Sequence, residues 1–156
     1  MEKLFNVILQ NRKSFYQIIS ETPKEQLLQI PEGFRNNIWW NIAHVVVTQQ
    51  ILLYKFSGVS MKVDEELVAK FKKGTVPDGT ADDEEIAKIT DLLLTTVESA
   101  QKDYENGVFK EYSEYTTSAK VTLSNVEDAI AFVAFHEGLH RGAVIALQKM
   151  VVLKEA

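Results

Sequence analysis

Apolar residues recur every three or four positions in four long segments, and this period constrains the fold more than any other feature of the chain. In the first segment the recurring residues are Leu4, Phe5, Ile8, Leu9, Phe15, Ile18 and Ile19. A period of 3.6 residues places such side chains on one face of an α-helix. The 156 residues, 46% of them hydrophobic, are enough to bury one sizeable core. The sequence therefore predicts one all-α domain over residues 1–156.

Breaks in this period divide the chain into helices and connections. The long helices are expected at about 4–19, from 36 or 37 to 58, at 80–107 and at 124–153, and the short ones at 22–28 and 64–72. Ser124 and Glu127 match a capping box at the start of the last helix. Residues 107–123 are rich in aromatic, β-branched and hydroxyl side chains, which favours an extended connection with a short hairpin as its β element. Four long amphipathic helices with two longer connections predict a four-helix bundle, with an irregular all-α domain as the alternative.

Composition removes several classes of function. Without cysteine the chain has no disulfide, thiolate zinc site, iron–sulfur cluster or cysteine nucleophile. A net charge of −5 argues against an electrostatic surface for nucleic acid. The longest uninterrupted apolar run, residues 129–135, is much shorter than the roughly 18 residues of a membrane span. The first residues lack the basic start of a signal peptide, so we expect a soluble, cytoplasmic protein that contacts neither nucleic acid nor membrane.

The three histidines of the chain carry the strongest functional signal. His136 and His140 are four residues apart, so both leave the same face of the last helix. His44 lies on the apolar side of the second long helix. Ligands that project from facing helices are a common way to build a metal site in a bundle, and we expect the three imidazoles to share a divalent ion. A hydrogen-bonded packing role is the alternative for each histidine taken alone.

Three imidazoles leave one coordination position open, which is typical of catalytic rather than structural zinc. Imidazole ligation suits zinc, nickel, copper or iron, of which we expect zinc or nickel. Asn41 and Thr48 lie three residues before and four residues after His44, and could orient a ligand.

The string from His136 to His140 also matches the H-E-x-x-H motif, in which the glutamate is the general base of a metal-dependent hydrolase. Glu137 would be that base. A salt bridge from Glu137 to Arg141 at i+4 is the interpretation we favour. Gly138 and Gly142 interrupt an otherwise good helix, which indicates close packing against a neighbour.

Two motifs together resemble a known family. Trp39-Trp40-Asn41-Ile42-Ala43-His44 and the later His136-Glu137-Gly138-Leu139-His140-Arg141-Gly142 look like the motifs of the DinB-like superfamily. The resemblance implies a four-helix-bundle metalloprotein, with His44, His136 and His140 as the metal ligands. Many members have glutamine after His-Arg-Gly, whereas this chain has Ala143, so a polar group that could orient a ligand or substrate is missing here.

Family activities imply a first hypothesis for function. Members transfer low-molecular-weight thiols such as bacillithiol or mycothiol, or catalyse thiol-dependent isomerisation, with a divalent metal that ionises the thiol. On this hypothesis Trp40, Tyr112 and Tyr115 are candidates for the wall of a small-molecule pocket, and Arg141 for contact with an anionic thiol. The alternatives are hydrolysis with Glu137 as base, and a non-enzymatic metal-binding protein that forms a homodimer through an apolar face of the bundle.

Overall fold

The computed structural model describes residues 1–153, and the regular secondary structure within them is helical apart from one short hairpin. In chain order, the elements are α1 (Glu2–Glu21), α2 (Lys24–Leu28), α3 (Ile38–Gln50), α4 (Glu65–Phe71), α5 (Asp83–Glu105), β1 (Tyr115–Thr116), β2 (Thr122–Leu123) and α6 (Val126–Leu153). The long helices α1, α3, α5 and α6 pack against one another as a bundle. The predicted all-α bundle is therefore confirmed.

Two local features differ from a simple bundle of α-helices. α3 continues directly into a π-helical turn, Ile51–Lys55, where we expected one α-helix to residue 58. The hairpin falls inside the predicted extended connection, with Tyr115 opposite Leu123 and Thr116 opposite Thr122. Both features lie beside the cavity described below.

The caps of the last two long helices follow from short polar side chains. Asp82 accepts a hydrogen bond from the backbone N–H of Glu85 at the start of α5, which begins three residues after the predicted start at residue 80. At α6 the predicted cap lies one residue before the observed one. Asn125, not Ser124, is the cap and accepts from the N–H of Asp128, whose carboxylate in turn accepts from the N–H of Ser124.

α3 is the most enclosed of the long helices, because twelve of its thirteen residues are buried. The exception, Thr48, is half-buried and faces the cavity described below. Polar side chains on such a helix need partners inside the protein. α3 therefore carries its polar residues, His44 among them, into the interior of the bundle.

α6 divides its apolar residues between the core and the surface. Val133, Val144 and Leu147 are buried, whereas Phe135 and Leu139 are 52% and 58% exposed. Gly138 and Gly142 lie on the exposed side, and a Cβ at either would meet nothing within 4 Å. The expected close packing at these glycines is therefore not found among residues 1–153.

By length and hydropathy alone, Val126–Val151 of α6 would also pass for a membrane-spanning helix. Core helices of soluble proteins pass the same test. This segment places the wholly buried Glu137 in the bundle, a residue that is costly inside a bilayer.

Candidate metal centre

Three histidine side chains from α3 and α6 meet in the bundle. One ring nitrogen each of His44, His136 and His140 lies within 4.8 Å of the others. The Nε2 atoms of His136 and His140 are 3.1 Å apart, because residues four apart stack on one helix face. The ring centroids of His44 and His140 are 4.8 Å apart across the two helices. We call these three residues the histidine cluster.

Hydrogen bonds at Nδ1 set the tautomers of two of the three rings. Nδ1 of His44 is 2.7 Å from the carbonyl oxygen of Phe71, which only accepts, so this nitrogen carries the proton. Nδ1 of His140 is 2.8 Å from Oδ1 of Asn41. The Asn41 amide nitrogen donates to the carbonyl oxygen of Asn37 (2.8 Å), which fixes the orientation of the amide and turns its oxygen to His140. Nε2 of His44 and of His140 therefore keeps a lone pair for a metal ion.

Burial keeps the histidine cluster neutral. It lowers the pKa of His136 to about 3, with a further contribution from the positive charges of the neighbouring histidines and Arg12. Burial and the charge of His44 lower the pKa of His140 to about 4. The pKa of His44 is also lowered by burial, against the opposing effect of its bond to Phe71. Neutral imidazole is the form that ligates a metal ion.

The donor set fits a divalent ion of zinc type. Nitrogens on a tetrahedral Zn²⁺ at about 2.0–2.1 Å lie about 3.3 Å from one another. His136 and His140 already approach that spacing at 3.1 Å. The partners at Nδ1 of His44 and His140 are a backbone carbonyl oxygen and a side-chain oxygen, the groups that usually support ligating histidines. The cluster can therefore hold a metal ion with three protein ligands.

Aromatic and hydroxyl side chains of the bundle hold His44 in place. The Trp40 ring stacks on the His44 ring with a centroid distance of 4.5 Å and an angle of 11°. Nε1 of Trp40 donates to Oγ1 of Thr75 at 3.0 Å. Oγ1 of Thr48 lies 3.2 Å from Nε2 of His44. Trp40 thus supports the cluster and does not line the cavity, which differs from the prediction of a pocket-wall residue.

The histidine cluster opens on a cavity of about 390 Å³, which we call the histidine cavity. Its lining is mostly apolar and comes from the π-helical turn, the hairpin region and α6. π-helical turns are frequent at functional sites. Besides the cluster, the lining residues are Thr48, Ile51, Leu52, Phe56, Lys73, Tyr115, Thr117, Ser118, Phe132 and Leu139.

The two predicted tyrosines have different positions. Tyr115 lines the histidine cavity and stacks on Phe56, with the ring centroids 4.6 Å apart. Tyr112 does not line the histidine cavity: it lines a separate cavity with Tyr104 and Phe109, and its hydroxyl donates to the carbonyl oxygen of Leu52 at 3.0 Å. Lys73, which sequence reasoning missed, is the one cation among the lining residues. Lys73 lies in the irregular segment between α4 and α5, where no helical periodicity could indicate that it faces a site.

Glu137 points away from the histidine cavity and pairs with Arg12 of α1. Two guanidinium nitrogens donate to its two carboxylate oxygens at 2.8 and 2.9 Å, and both side chains are wholly buried. The predicted salt bridge to Arg141 is therefore wrong. Arg141 instead faces Oδ1 of Asn11, with Nη1 at 3.4 Å, and does not line the cavity.

The helical period explains why Glu137 pairs with Arg12 and not with Arg141. Glu137 is about 100° around α6 from His136, and this direction leads toward α1. Burial raises the pKa of the Glu137 carboxyl, while the guanidinium of Arg12 opposes that rise. The sequence indicated that Arg12 is buried, because Arg12 falls on the apolar stripe that includes Ile8 and Phe15, but it did not indicate which residue it pairs with.

The fold and the site together define a helical-bundle protein with a buried cluster of three histidines. A family model for the DinB superfamily matches residues 8–144, which run from α1 into α6 and include the whole histidine cluster. The chain therefore belongs to the DinB superfamily, as its two motifs indicated. No curated protein matches the chain in sequence.

Proposed function

We propose that the protein is a metal-dependent transferase that joins a small thiol to an electrophile. The observation that carries the proposal is that three neutral imidazoles line one small, mostly apolar cavity. His44, His136 and His140 would hold the ion, with zinc or nickel as the expected metal. Three protein ligands leave a position for a further ligand. A bound divalent ion lowers the pKa of a thiol or a water that it binds.

The chain itself has no cysteine, so the sulfur must come from a thiol co-substrate of low molecular weight. In the transfer, the sulfur forms a bond to an electrophilic carbon and the bond from that carbon to its leaving group breaks. The leaving group takes the electron pair, and the thiol proton goes to solvent or to the leaving group. We place the protein in the cytoplasm, where thiols are kept reduced.

The walls of the histidine cavity support a substrate with an apolar part. Phe56, Phe132 and Leu139 supply apolar surface, and a volume of about 390 Å³ lies within the range of small-molecule sites. Lys73 and Ser118 line the same cavity and are exposed, so a charged end of a substrate can reach them from solvent. This arrangement favours a small molecule with an apolar body and an anionic group.

Hydrolysis with Glu137 as general base has less support. Both carboxylate oxygens accept from Arg12, and the side chain does not line the histidine cavity. A general base must come within about 2.6–3.2 Å of the proton it removes, or reach it through one water. The geometry therefore favours thiol transfer over this mechanism.

The test is a conjugation assay on Zn²⁺- or Ni²⁺-loaded protein, with bacillithiol or another small thiol and a chromogenic electrophile. We expect a thiol adduct that forms with the wild type and not with a His136→Ala/His140→Ala variant. Wild-type protein that takes up neither ion would reject the transferase and the hydrolase alike. Metal uptake without turnover would leave a binding protein, and cleavage without thiol would support the hydrolase.

We also propose that the protein forms a homodimer through the exposed face of α6. Phe135, Leu139 and Ile145 expose 52%, 58% and 43% of their surface on this helix. Gly138 and Gly142 lie on the same exposed side and leave open space, which lets a second helix come close. Large exposed apolar residues in one patch typically mark an interaction surface.

A further inference from the structure

One guanidinium connects all four long helices at the level of the histidine cluster. Arg12 of α1 is wholly buried, and each of its five N–H donors faces an acceptor. Nε and Nη2 donate to Glu137 of α6, and Nη2 also donates to the carbonyl oxygen of Val45 in α3 at 3.1 Å. Nη1 faces the carbonyl oxygen of Leu93 and Oγ1 of Thr96 in α5, at 3.4 and 3.5 Å.

The acceptors on α3 and α6 are the residues next to two of the histidines. Val45 follows His44, and Glu137 follows His136. Successive side chains on a helix point about 100° apart, so a fixed direction for Glu137 also fixes the direction of His136. The hydrogen bond to the Val45 carbonyl oxygen holds the backbone of α3 next to His44. A single side chain thus sets how the two histidine-bearing helices face each other.

Stability alone gives a poor reason for this buried ion pair. Desolvation of two charges offsets most of their attraction, and an apolar pair of similar volume is often neutral or more stable. Loss of only one partner, in contrast, leaves an uncompensated charge in the core. Replacement of both partners together leaves no unpaired charge in the core. Such a double variant can therefore reveal an effect of the pair on the geometry of the site without a large loss of stability.

We infer that Arg12 and Glu137 are a positioning pair that sets the rotation of α3 and α6, so that the imidazoles converge before a metal ion binds. The inference rests on the proposed metal site. It assigns Glu137 a role that is neither general base nor metal ligand. It also explains why the carboxylate next to His136 points into the core, away from the histidine cavity.

The test replaces both partners at once, as Arg12→Met/Glu137→Leu. Urea unfolding measures the stability of the metal-free protein, and competition with a chromophoric chelator measures Zn²⁺ affinity. We expect an unfolding midpoint near that of the wild type and a Zn²⁺ affinity weaker by about 10-fold or more, as for other residues that orient ligands. A folded double variant with wild-type Zn²⁺ affinity would overturn the inference.

A matched control removes a polar contact between helices away from the cluster. The hydroxyl of Tyr54 in the π-helical turn donates to Asp103 of α5 at 2.7 Å, and Tyr54→Phe deletes that bond. We expect wild-type Zn²⁺ affinity in Tyr54→Phe. An equal loss in this variant would mean a general effect of loosened packing, which contradicts a specific role for the pair.

If the double variant does not fold, the Zn²⁺ affinity of Arg12→Lys is compared with that of the wild type instead. Lysine keeps the charge but has only three donors on one nitrogen, so it cannot reproduce the fork that joins Glu137 to the Val45 carbonyl. We expect weakened Zn²⁺ affinity in folded Arg12→Lys. Wild-type affinity there would overturn the inference.

A second readout separates this inference from the proposed function. If wild-type protein binds no Zn²⁺, the metal site is rejected, and the comparison moves to the metal-free protein. In its NMR spectrum, the hydrogen-bonded Nδ1 protons of His44 and His140 should be protected from exchange with solvent. We expect the double variant to lose that protection. Unchanged protection would show that the pair does not position these rings.

Discussion

The side-chain oxygen of Asn41 lies 2.8 Å from Nδ1 of His140 and joins α3 to α6 beside the histidine cluster. The amide of Asn41 is itself held, because its nitrogen donates to the carbonyl oxygen of Asn37 and to Oδ1 of Asn36. Here Asn41 supplies the polar group that orients His140.

Replacement of Asn41 should therefore weaken metal binding. We expect Asn41→Ala to lower Zn²⁺ affinity by about 10- to 100-fold, since the bond that fixes the His140 ring is lost. Competition with a chelator gives the measurement. Asn41→Asp keeps an acceptor and should lose less, which makes it the matched control. Equal affinities for the wild type and Asn41→Ala would contradict the orienting role.

Removal of one histidine should abolish the site. In the proposed metal site each member of the cluster supplies one of three protein ligands, so His140→Ala should reduce bound metal from about one ion per chain to none. Elemental analysis after dialysis against Zn²⁺ or Ni²⁺ measures the stoichiometry. Thr90→Ala serves as the control and should keep the ion, because the Thr90 hydroxyl donates to the Ile86 carbonyl oxygen of its own helix and does not line the histidine cavity. Unchanged stoichiometry in His140→Ala would remove His140 from the ligand set.

Acid should destabilise the metal-free protein through the cluster. Burial lowers the folded-state pKa of His136 and His140 to about 3 and about 4, below the ordinary value of 6.5. Below pH 6.5 the unfolded chain therefore binds more protons than the folded chain, and the free energy of unfolding falls as the pH drops toward these values. Urea unfolding at a series of pH values measures the slope. In a His136→Asn/His140→Asn variant the free energy of unfolding should depend less steeply on pH. An unchanged slope would mean that these two histidines do not cause the loss of stability in acid.

Lys73 should affect substrate choice more than turnover. If its charge meets an anionic group, Lys73→Ala should raise KM for an anionic substrate and leave kcat and neutral substrates nearly unchanged. Steady-state kinetics with a matched pair of electrophiles, one neutral and one carboxylated, measures the difference. The neighbouring Lys72 does not line the cavity, so Lys72→Ala is the control. Equal effects on both substrates would argue against a contact with the anion.

The exposed glycines of α6 give a test of the dimer. A Cβ at Gly142 would meet nothing within 4 Å, so Gly142→Ala should raise the free energy of unfolding of the monomer by about 0.5–1 kcal/mol. If a second copy packs there, the same change should weaken association in sedimentation experiments. Ile145→Glu, on the exposed side of the same helix, should also give monomers. A wild-type chain that is monomeric at high concentration would reject the proposed dimer.

The parts of the site that were predictable depend on helical period. His136 and His140 are four apart, so their common face follows from one helix alone. His44 needed the further step that the second and fourth long helices face each other, which the bundle and the family resemblance supplied. The family match supports the predicted bundle, and the cluster of His44, His136 and His140 confirms that these two helices face each other.

Contacts between distant segments could not be read in the same way. Arg12 and Glu137 are separated by 125 positions, whereas Arg141 offered Glu137 a local partner at i+4. Tyr112 and Tyr115 stand in a connection without periodicity, so the sequence could not tell which would face the cavity. The shift of the α6 cap from Ser124 to Asn125 has a simpler cause, since both residues cap helices well.

The stack of Trp40 on His44 gives the protein a built-in optical probe. An indole ring in contact with an imidazole changes its emission when that imidazole is protonated or takes up an ion. The other tryptophan, Trp39, donates from Nε1 to Oε1 of Glu85 (2.8 Å). The chain has two tryptophans, so Trp39→Phe would leave Trp40 as its single indole. Occupancy of the histidine cluster can then be followed by fluorescence, without a label and without knowledge of the substrate.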